Sequence, residues 1–246
     1  MRTPTIVAIL LGCLGSLLLL FLLAGIAFYL MEGEISSDRG DDFVNSGPYV
    51  EPTFEEEGKV FRCTREYARG KGKYPIEFTI RVPEGWSILE TENSPTRNLV
   101  QFVRTNEDGG ELQCLAVGHV NHTDSYDPGV DMSGLLLGSL MPMLTSQFVS
   151  QFETGGLTVQ EGESGMTTVM GRSAHRTDLE LSGWINDRSP PGRYFVTLVA
   201  MLRADHKPHG VLIILMSREE EGLHSCDDLF TSGALGTSFR SFTFVN

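Results

Sequence analysis

The longest apolar stretch of the chain lies near its N-terminus. Residues 6–31 contain only two polar side chains, those of Ser16 and Tyr29. An unbroken helix of this length spans about 39 Å, whereas the hydrocarbon core of a bilayer is roughly 30 Å thick. The pattern therefore predicts a transmembrane helix over residues 6–31, preceded by a short N-terminal segment, residues 1–5.

Two alternatives to an uncleaved anchor are weaker. A cleavable signal peptide has an apolar stretch of about 7–15 residues, and the best small-residue cleavage site, Gly25–Ala27, lies inside the run. Leu10–Cys13 resembles the acylation site of a bacterial lipoprotein, but most of the apolar run follows the cysteine instead of preceding it. Both comparisons favour a helix that is retained.

The charges beside this stretch predict its orientation. Arg2 and the α-amino group precede it, whereas Glu32, Glu34 and Asp38 follow it. Because positive residues are retained on the cytoplasmic side, the N-terminus is expected in the cytoplasm and the rest of the chain outside it. The prediction is a single-pass protein of the cell membrane that contacts the lipid bilayer through residues 6–31.

After the apolar run, the chain divides into a stalk and a domain. Residues 32–57 are rich in acidic residues, Gly, Ser and Pro and show no sustained period, which is typical of a flexible acidic stalk. Residues 58–246 are long enough for one domain with its own core. Within them, Ile76–Val82 alternates apolar and polar side chains without interruption and predicts a strand with one buried face.

Further strands and two helices are predicted along the domain. Val211–Met216 is apolar on both faces and is expected at the centre of the sheet. Leu137, Met141, Leu144, Phe148 and Phe152 recur at helical spacing, and Pro142 either kinks that helix or lies in its first turn. The other strands are expected at residues 99–104, 112–120, 157–163, 166–181, 193–204, 210–217 and 239–245.

The order of these elements predicts an α+β fold. Ser225 and Asp228 are typical of the start of a second helix, with Leu229, Phe230, Ala234 and Leu235 facing inward. The expected architecture is an antiparallel sheet of about six or seven strands packed between helices.

Three short stretches in this order resemble the PsbP-like family. Phe78–Trp86 resembles the family's opening strand, which ends in Pro-x-Gly-Trp, and Gly171–Ala174 resembles the small-residue start of a mid-domain strand. Ser238–Phe242 is similar to the family's terminal Ser-Phe element. The resemblance covers residues 58–246 and implies an antiparallel sheet between helices in a protein that binds partners and does not catalyse. No residue set defines a site across that family, so none is transferred.

The charge balance excludes one class of partner. The chain has 32 acidic and 19 basic residues, a net charge of −13. Because an acidic domain repels phosphate backbones, nucleic acid is not expected as a partner.

The sequence contains no recognisable catalytic or cofactor motif. Glu161–Met166 does not match Gly-x-Ser-x-Gly and is interpreted as a hairpin turn, and no HExxH, P-loop or dinucleotide fingerprint occurs. His119 and His122 are three residues apart, as are His206 and His209, but at a predicted strand end and in a predicted turn, where this spacing has no geometric meaning. We therefore predict no catalytic residue, cofactor or metal ligand, and expect solvated loop histidines.

The cysteines and one tripeptide leave alternatives open. Cys63, Cys114 and Cys226 follow the membrane segment, so either two of them form a disulfide and the third is a free thiol, or all three are small buried side chains. Asn121-His122-Thr123 matches an N-glycosylation acceptor, which matters only in a host that glycosylates.

Trp184 is the candidate partner contact. It lies in Ser182–Pro191, which is interpreted as a loop, and a Trp on a loop is typical of a contact surface. Trp86, Tyr194 and Phe195 are instead expected in the core. The sequence thus predicts a membrane-tethered, non-enzymatic domain that binds a protein or envelope component. The alternative is a membrane-bound hydrolase or other enzyme with an unrecognised site.

The topology predicts the outcome of a protease experiment. Protease added outside intact cells should remove residues 58–246, because these residues are expected on the outer side of the membrane. Immunoblotting of a C-terminal tag measures the loss, with a cytoplasmic protein as the control for lysis. Survival of the tag would contradict the predicted orientation.

Overall fold

The computed structural model describes residues 49–55, 59–73, 75–90, 98–121, 133–183, 191–203 and 209–245. The predicted membrane segment, residues 6–31, and most of the predicted stalk lie outside these ranges. None of the helices within them is long and apolar enough to cross a membrane.

The described residues form eleven strands and four helices. The strands are β1 (Thr53–Glu55), β2 (Val60–Cys63), β3 (Phe78–Arg81), β4 (Ser87–Ile88), β5 (Val100–Thr105), β6 (Glu111–Asn121), β7 (Thr158–Val169), β8 (Arg172–Gly183), β9 (Gly192–Leu202), β10 (His209–Arg218) and β11 (Thr243–Phe244). The helices are α1 (Arg65–Gly70), α2 (Ser133–Thr154), α3 (Asp228–Thr231) and α4 (Gly233–Arg240).

The strands form two antiparallel sheets. The larger sheet has the order β4-β5-β6-β10-β9-β8-β7, and the smaller has the order β1-β2-β3-β11. The α+β class and the antiparallel pairing predicted from the sequence are thus confirmed, but the prediction of a single sheet of six or seven strands missed the smaller one. Because β1 lies within residues 32–57, part of the segment expected to be stalk belongs to the smaller sheet.

The predicted central position of Val211–Met216 is confirmed. In the described part of the chain, β10 lies between β6 and β9, and its side chains alternate between two apolar clusters. Val211, Ile213 and Leu215 pack in the first cluster, whereas Leu212 and Met216 pack in the second.

The first cluster lies between the two sheets and the short helices. It combines Phe61, Phe78 and Ile80 of the small sheet with Leu229 and Phe239 of α3 and α4. Thr64 begins α1, where its hydroxyl accepts a hydrogen bond from the Tyr67 backbone N–H at 3.2 Å, and this cap directs Tyr67 and Ala68 into the same cluster.

The second cluster lies between the large sheet and α2. Leu137 and Met141 of α2 are fully buried there, and Leu144, Phe148 and Phe152 pack at its margin, which confirms the predicted helical face. Pro142 lies well inside α2, so its placement in the first turn is excluded.

Near the C-terminus, the structure corrects the predicted helix and the strand after it. The predicted single helix is two, because α3 ends at Thr231 and α4 begins at Gly233, whose φ of +62° glycine adopts readily. The Asp228 carboxylate accepts from the backbone N–H of Ser225, as the capping pattern predicts. Ala234 is exposed and does not face inward, and the terminal strand is only Thr243–Phe244 since Phe239 belongs to α4.

Ile213→Asp should unfold the domain. Ile213 is fully buried on the central strand, and an unpaired carboxylate there costs about 4 kcal/mol or more, a large part of the stability of an ordinary domain. Thermal unfolding followed by circular dichroism measures the effect. Thr158→Asp, at the exposed start of β7 and opposite the uncharged Ser182, is the matched control and should leave the melting temperature nearly unchanged. An unchanged melting temperature for Ile213→Asp would contradict the central role of β10.

Candidate protein-binding edge

The outer edge of β7 has no strand partner in the part of the chain that the structure describes. β7 is last in the order of the large sheet and pairs only with β8. Its twelve residues are mostly exposed, unlike those of β9 and β10. A row of backbone N–H and C=O groups along such an edge can pair with another strand.

A β-bulge divides β7 into two straight halves. The register shifts between Glu161, which pairs with Leu179, and Ser164, which pairs with Thr177. Gly162 suits this position because a Cβ there would lie 3.3 Å from the backbone oxygen of Asp178. The prediction of a hairpin turn at Glu161–Met166 was therefore wrong, since the bulge accommodates these glycines within one strand.

The second half of β7 lacks the usual protection of an exposed edge. Residues 164–169 read Ser-Gly-Met-Thr-Thr-Val, with no charge and no proline. Proteins commonly protect exposed edges with Lys, Pro or bulges. Here the bulge precedes the segment, so these six residues form an uninterrupted stretch of strand whose outward N–H and C=O groups have no strand partner among the described residues.

Exposed apolar side chains lie beside this segment. Met166 is 48% exposed, and its Cε is 3.8 Å from the position of a Cβ built on Gly134, at the start of α2. Leu135, the next residue of α2, is 67% exposed. Because Met adapts its shape to different partners, this combination is typical of a binding surface.

The hairpin that joins β7 to β8 turns at Met170 and Gly171. Both have positive φ, +51° and +75°, and Val169 pairs directly with Arg172 across this two-residue loop. Asn, Asp and Gly are the residues usually found at the first position of a two-residue hairpin loop with positive φ. Another residue there costs about 1 kcal/mol or more in conformational strain. Met170 is exposed and lines a small cleft together with Phe244, over whose ring the Arg172 guanidinium lies at 5.2 Å from the centroid.

The carboxylates near the bulge differ from those deeper in the sheet. Glu161 and Glu163 are exposed, and neither forms an ion pair with any described residue. In contrast, Asp178 on β8 is bound by both Nε and Nη2 of Arg176 at 2.8 and 2.6 Å, and Glu180 pairs with Arg193 at 2.5 Å. The unpaired charges of the β7 edge are therefore acidic.

Tyr67, Lys71 and Glu90 form a buried polar cluster that connects α1 to the residues after β4. The Glu90 carboxylate, after β4, accepts from the Tyr67 hydroxyl at 2.8 Å and pairs with the Lys71 ammonium, which also donates to the Asn98 backbone oxygen at 2.9 Å. Burial lowers the pKa of Lys71, and burial together with the hydrogen bond to Glu90 raises the pKa of Tyr67. The cluster links α1 to the residues after β4 and before β5, so we assign it a structural role.

The structure brings together two histidines that the sequence pairs did not connect. The imidazole Nε2 of His119, on β6, lies 3.2 Å from Nδ1 of His209, the first residue of β10. The expectation of solvated loop histidines is wrong for this pair, because both belong to strands and His119 is only partly exposed. Burial is the main cause that lowers the pKa of His119, and the neighbouring His209 and Lys73 lower it further, to about 3.

The other residues singled out from the sequence lie either outside the described ranges or in the core. Trp184, with the rest of residues 184–190, lies outside the described residues, as do His122 and His206. Tyr194 and Phe195 are buried in the core as predicted, and Trp86 packs at its margin. The described ranges contain no group of three or more His, Cys, Asp and Glu side chains that could hold a metal ion.

The three cysteines that follow residues 6–31 are not cross-linked. Cys63, Cys114 and Cys226 are free thiols, so no disulfide joins any two of them. Cys63 and Cys114 are small buried side chains, as one of the two expectations has it, whereas Cys226 is only half-buried at the margin of the first cluster. Burial raises the pKa of all three, that of Cys226 to about 11.

Comparison with known proteins gives structural likenesses only. No protein-family model and no curated protein matches the sequence. Similar solved structures include the Ran-binding protein Mog1p of Saccharomyces cerevisiae, with 12% identity and a TM-score of 0.41 over 80% of this chain and 95% of that one. They also include cyanobacterial PsbP (CyanoP) from Synechocystis, with 10% identity and a TM-score of 0.44 over 81% and 100% of the two chains. LpqN of Mycobacterium tuberculosis, involved in cell envelope biogenesis, has 14% identity and a TM-score of 0.41 over 69% and 83%.

A PsbP protein, from the family that the sequence resembles, is thus among the similar structures. At identities of 10–14% and TM-scores below 0.5, the likeness extends neither to function nor to family membership.

The lowered pKa of His119 predicts acid sensitivity. An unfolded chain takes up a proton on this residue below pH 6.5, whereas the folded chain does so only near pH 3, so stability is lost as the pH falls below 6.5. By pH 5 the loss reaches about 2 kcal/mol in the free energy of unfolding. Urea unfolding of His119→Asn at pH 7.5 and pH 5.0 should show a smaller loss than the wild type.

His224→Asn is the control for the substitution of a histidine as such, because His224 is exposed and belongs to neither β6 nor β10. Burial also lowers the pKa of His175, but this residue is present in the wild type and in both variants, so its contribution cancels from the comparison. Equal losses in His119→Asn and the wild type would contradict the assignment.

Proposed function

We propose that this chain is a membrane-anchored, extracytoplasmic binding domain, not an enzyme, and that it binds a partner protein along the second half of β7. The observation that carries the proposal is the uncharged, exposed edge at residues 164–169 with Met166 at its centre. The predicted anchor and stalk support it, because a tether raises the effective concentration of a binding domain near other membrane components.

An extended polypeptide is the occupant whose chemistry fits this edge. The edge presents backbone donors and acceptors in the spacing of a strand, and an added strand pairs with them all along its length. Met166 and Leu135 then supply apolar contacts to side chains of that strand. We therefore expect recognition by strand addition.

The charges near the bulge specify the partner further. Glu161 and Glu163 are unpaired within the described residues, and the chain carries a net charge of −13. A partner segment with a basic residue opposite the bulge is favoured, whereas a second copy of this chain would place like charges together. We propose a separate protein with a basic extended segment.

Met166→Lys should weaken partner binding at least about tenfold, since Lys at an exposed edge opposes strand addition and would also repel a basic segment. Met143→Lys is the matched control, because Met143 is 44% exposed on α2, close to the 48% of Met166. To identify the partner, a photo-crosslinking amino acid is placed at position 166, or separately at position 143, of the full-length chain in intact cells. The affinity of that partner for each purified lysine variant then measures the effect of the substitution on binding.

A partner that crosslinks from position 166 and not from 143, and whose affinity falls only in Met166→Lys, supports the proposal. Crosslinking to the chain itself would contradict a separate partner. Loss of binding in Trp184→Ala, with Met166→Lys unaffected, would place the contact at the loop 184–190 and overturn the assignment to β7.

A further inference from the structure

The β6–β10 pairing places two imidazole rings side by side at one end of the large sheet. His209 pairs in register with Asn121, and Val211 pairs with His119, so the two histidines are diagonal neighbours on adjacent strands. Their rings are inclined by 25°, with centroids 5.3 Å apart and 3.2 Å between Nε2 of His119 and Nδ1 of His209. Strand backbones on both sides fix this separation.

The separation of the two nitrogen atoms suits a shared metal ion. Two imidazole nitrogens bound to one ion at about 2.0–2.1 Å, and 3.2 Å from each other, subtend an angle of about 100° at the metal. This angle lies between the right angle of square-planar or octahedral ligands and the tetrahedral angle. Turning both rings so that these two lone pairs point to one ion would convert the present N–H···N contact into a pair of ligands.

Either imidazole can act as a ligand in its neutral form, in which one ring nitrogen carries a lone pair. The positive charge of Lys73 acts on the His119 ring and opposes a cation there. This opposition provides an independent means of testing the site.

We infer that His119 and His209 form a binding site for a divalent transition metal ion of the class that prefers imidazole, Zn²⁺ or Cu²⁺. Nε2 of His119 and Nδ1 of His209 are the protein ligands, and water molecules complete the coordination. Each ring carries its proton on its other nitrogen when the ion is bound. The inference does not depend on the proposed binding edge.

Calorimetric titration of Zn²⁺ into the full-length chain, purified in mild detergent and freed of metal with a chelator, tests the site. We expect one bound ion per chain and an affinity at least about tenfold weaker in His119→Asn and in His209→Asn. His224→Asn, which removes an exposed histidine elsewhere, should bind as the wild type does. Lys73→Gln should bind severalfold more tightly, because it removes the opposing charge.

A second measurement does not require a variant to fold. The electron paramagnetic resonance spectrum of one equivalent of Cu²⁺ on the wild-type chain should show coupling to two imidazole nitrogens. Coupling to fewer than two, absence of stoichiometric Zn²⁺ binding, or unchanged affinity in folded His119→Asn and His209→Asn would each overturn the inference.

Discussion

The structure depends on one constraint, which is that the central strands of the large sheet are apolar on both faces. Ile213 and Leu215 face one side of β10, whereas Leu212 and Met216 face the other, so the sheet is stable in water only if both faces are covered. α2 covers one face of the described structure, and the small sheet with α3 and α4 covers the other. Strand β7 is the exception, since its side chains are mostly exposed and its outer edge has no strand partner among the described residues.

The parts of the fold that sequence reasoning could predict are those with long, regular patterns. Val211–Met216 and the apolar face of α2 each provide enough positions to distinguish a period of two from one near 3.6. In the small sheet, β3 and β11 fall within predicted strands, but Thr53–Glu55 and Val60–Cys63 were missed because three or four residues show too little alternation, and the separation into two sheets was missed with them. The turn between β7 and β8 was misplaced because Met170 is not a typical turn residue, whereas Gly162 and Gly165 are and lie within the strand.

The candidate sites were hidden from the sequence for a different reason. Which strand lies at the edge of a sheet depends on pairing between distant segments, and nothing local to residues 164–169 specifies it. His119 and His209 are likewise 90 residues apart, and spacing within His119/His122 or His206/His209 gave no indication that β6 and β10 would bring one member of each pair together. Trp184 remains a prediction from composition.

The three free cysteines have a consequence for how this domain is made. Only a thiolate attacks a disulfide, and burial of Cys63, Cys114 and Cys226 keeps their sulfur atoms protonated and shielded. Since no covalent link joins these three residues, folding of the described domain requires neither a thiol oxidase nor an isomerase to join them. The same native structure is therefore accessible under reducing and oxidising conditions alike, and a cysteine introduced on the surface would react well before these three.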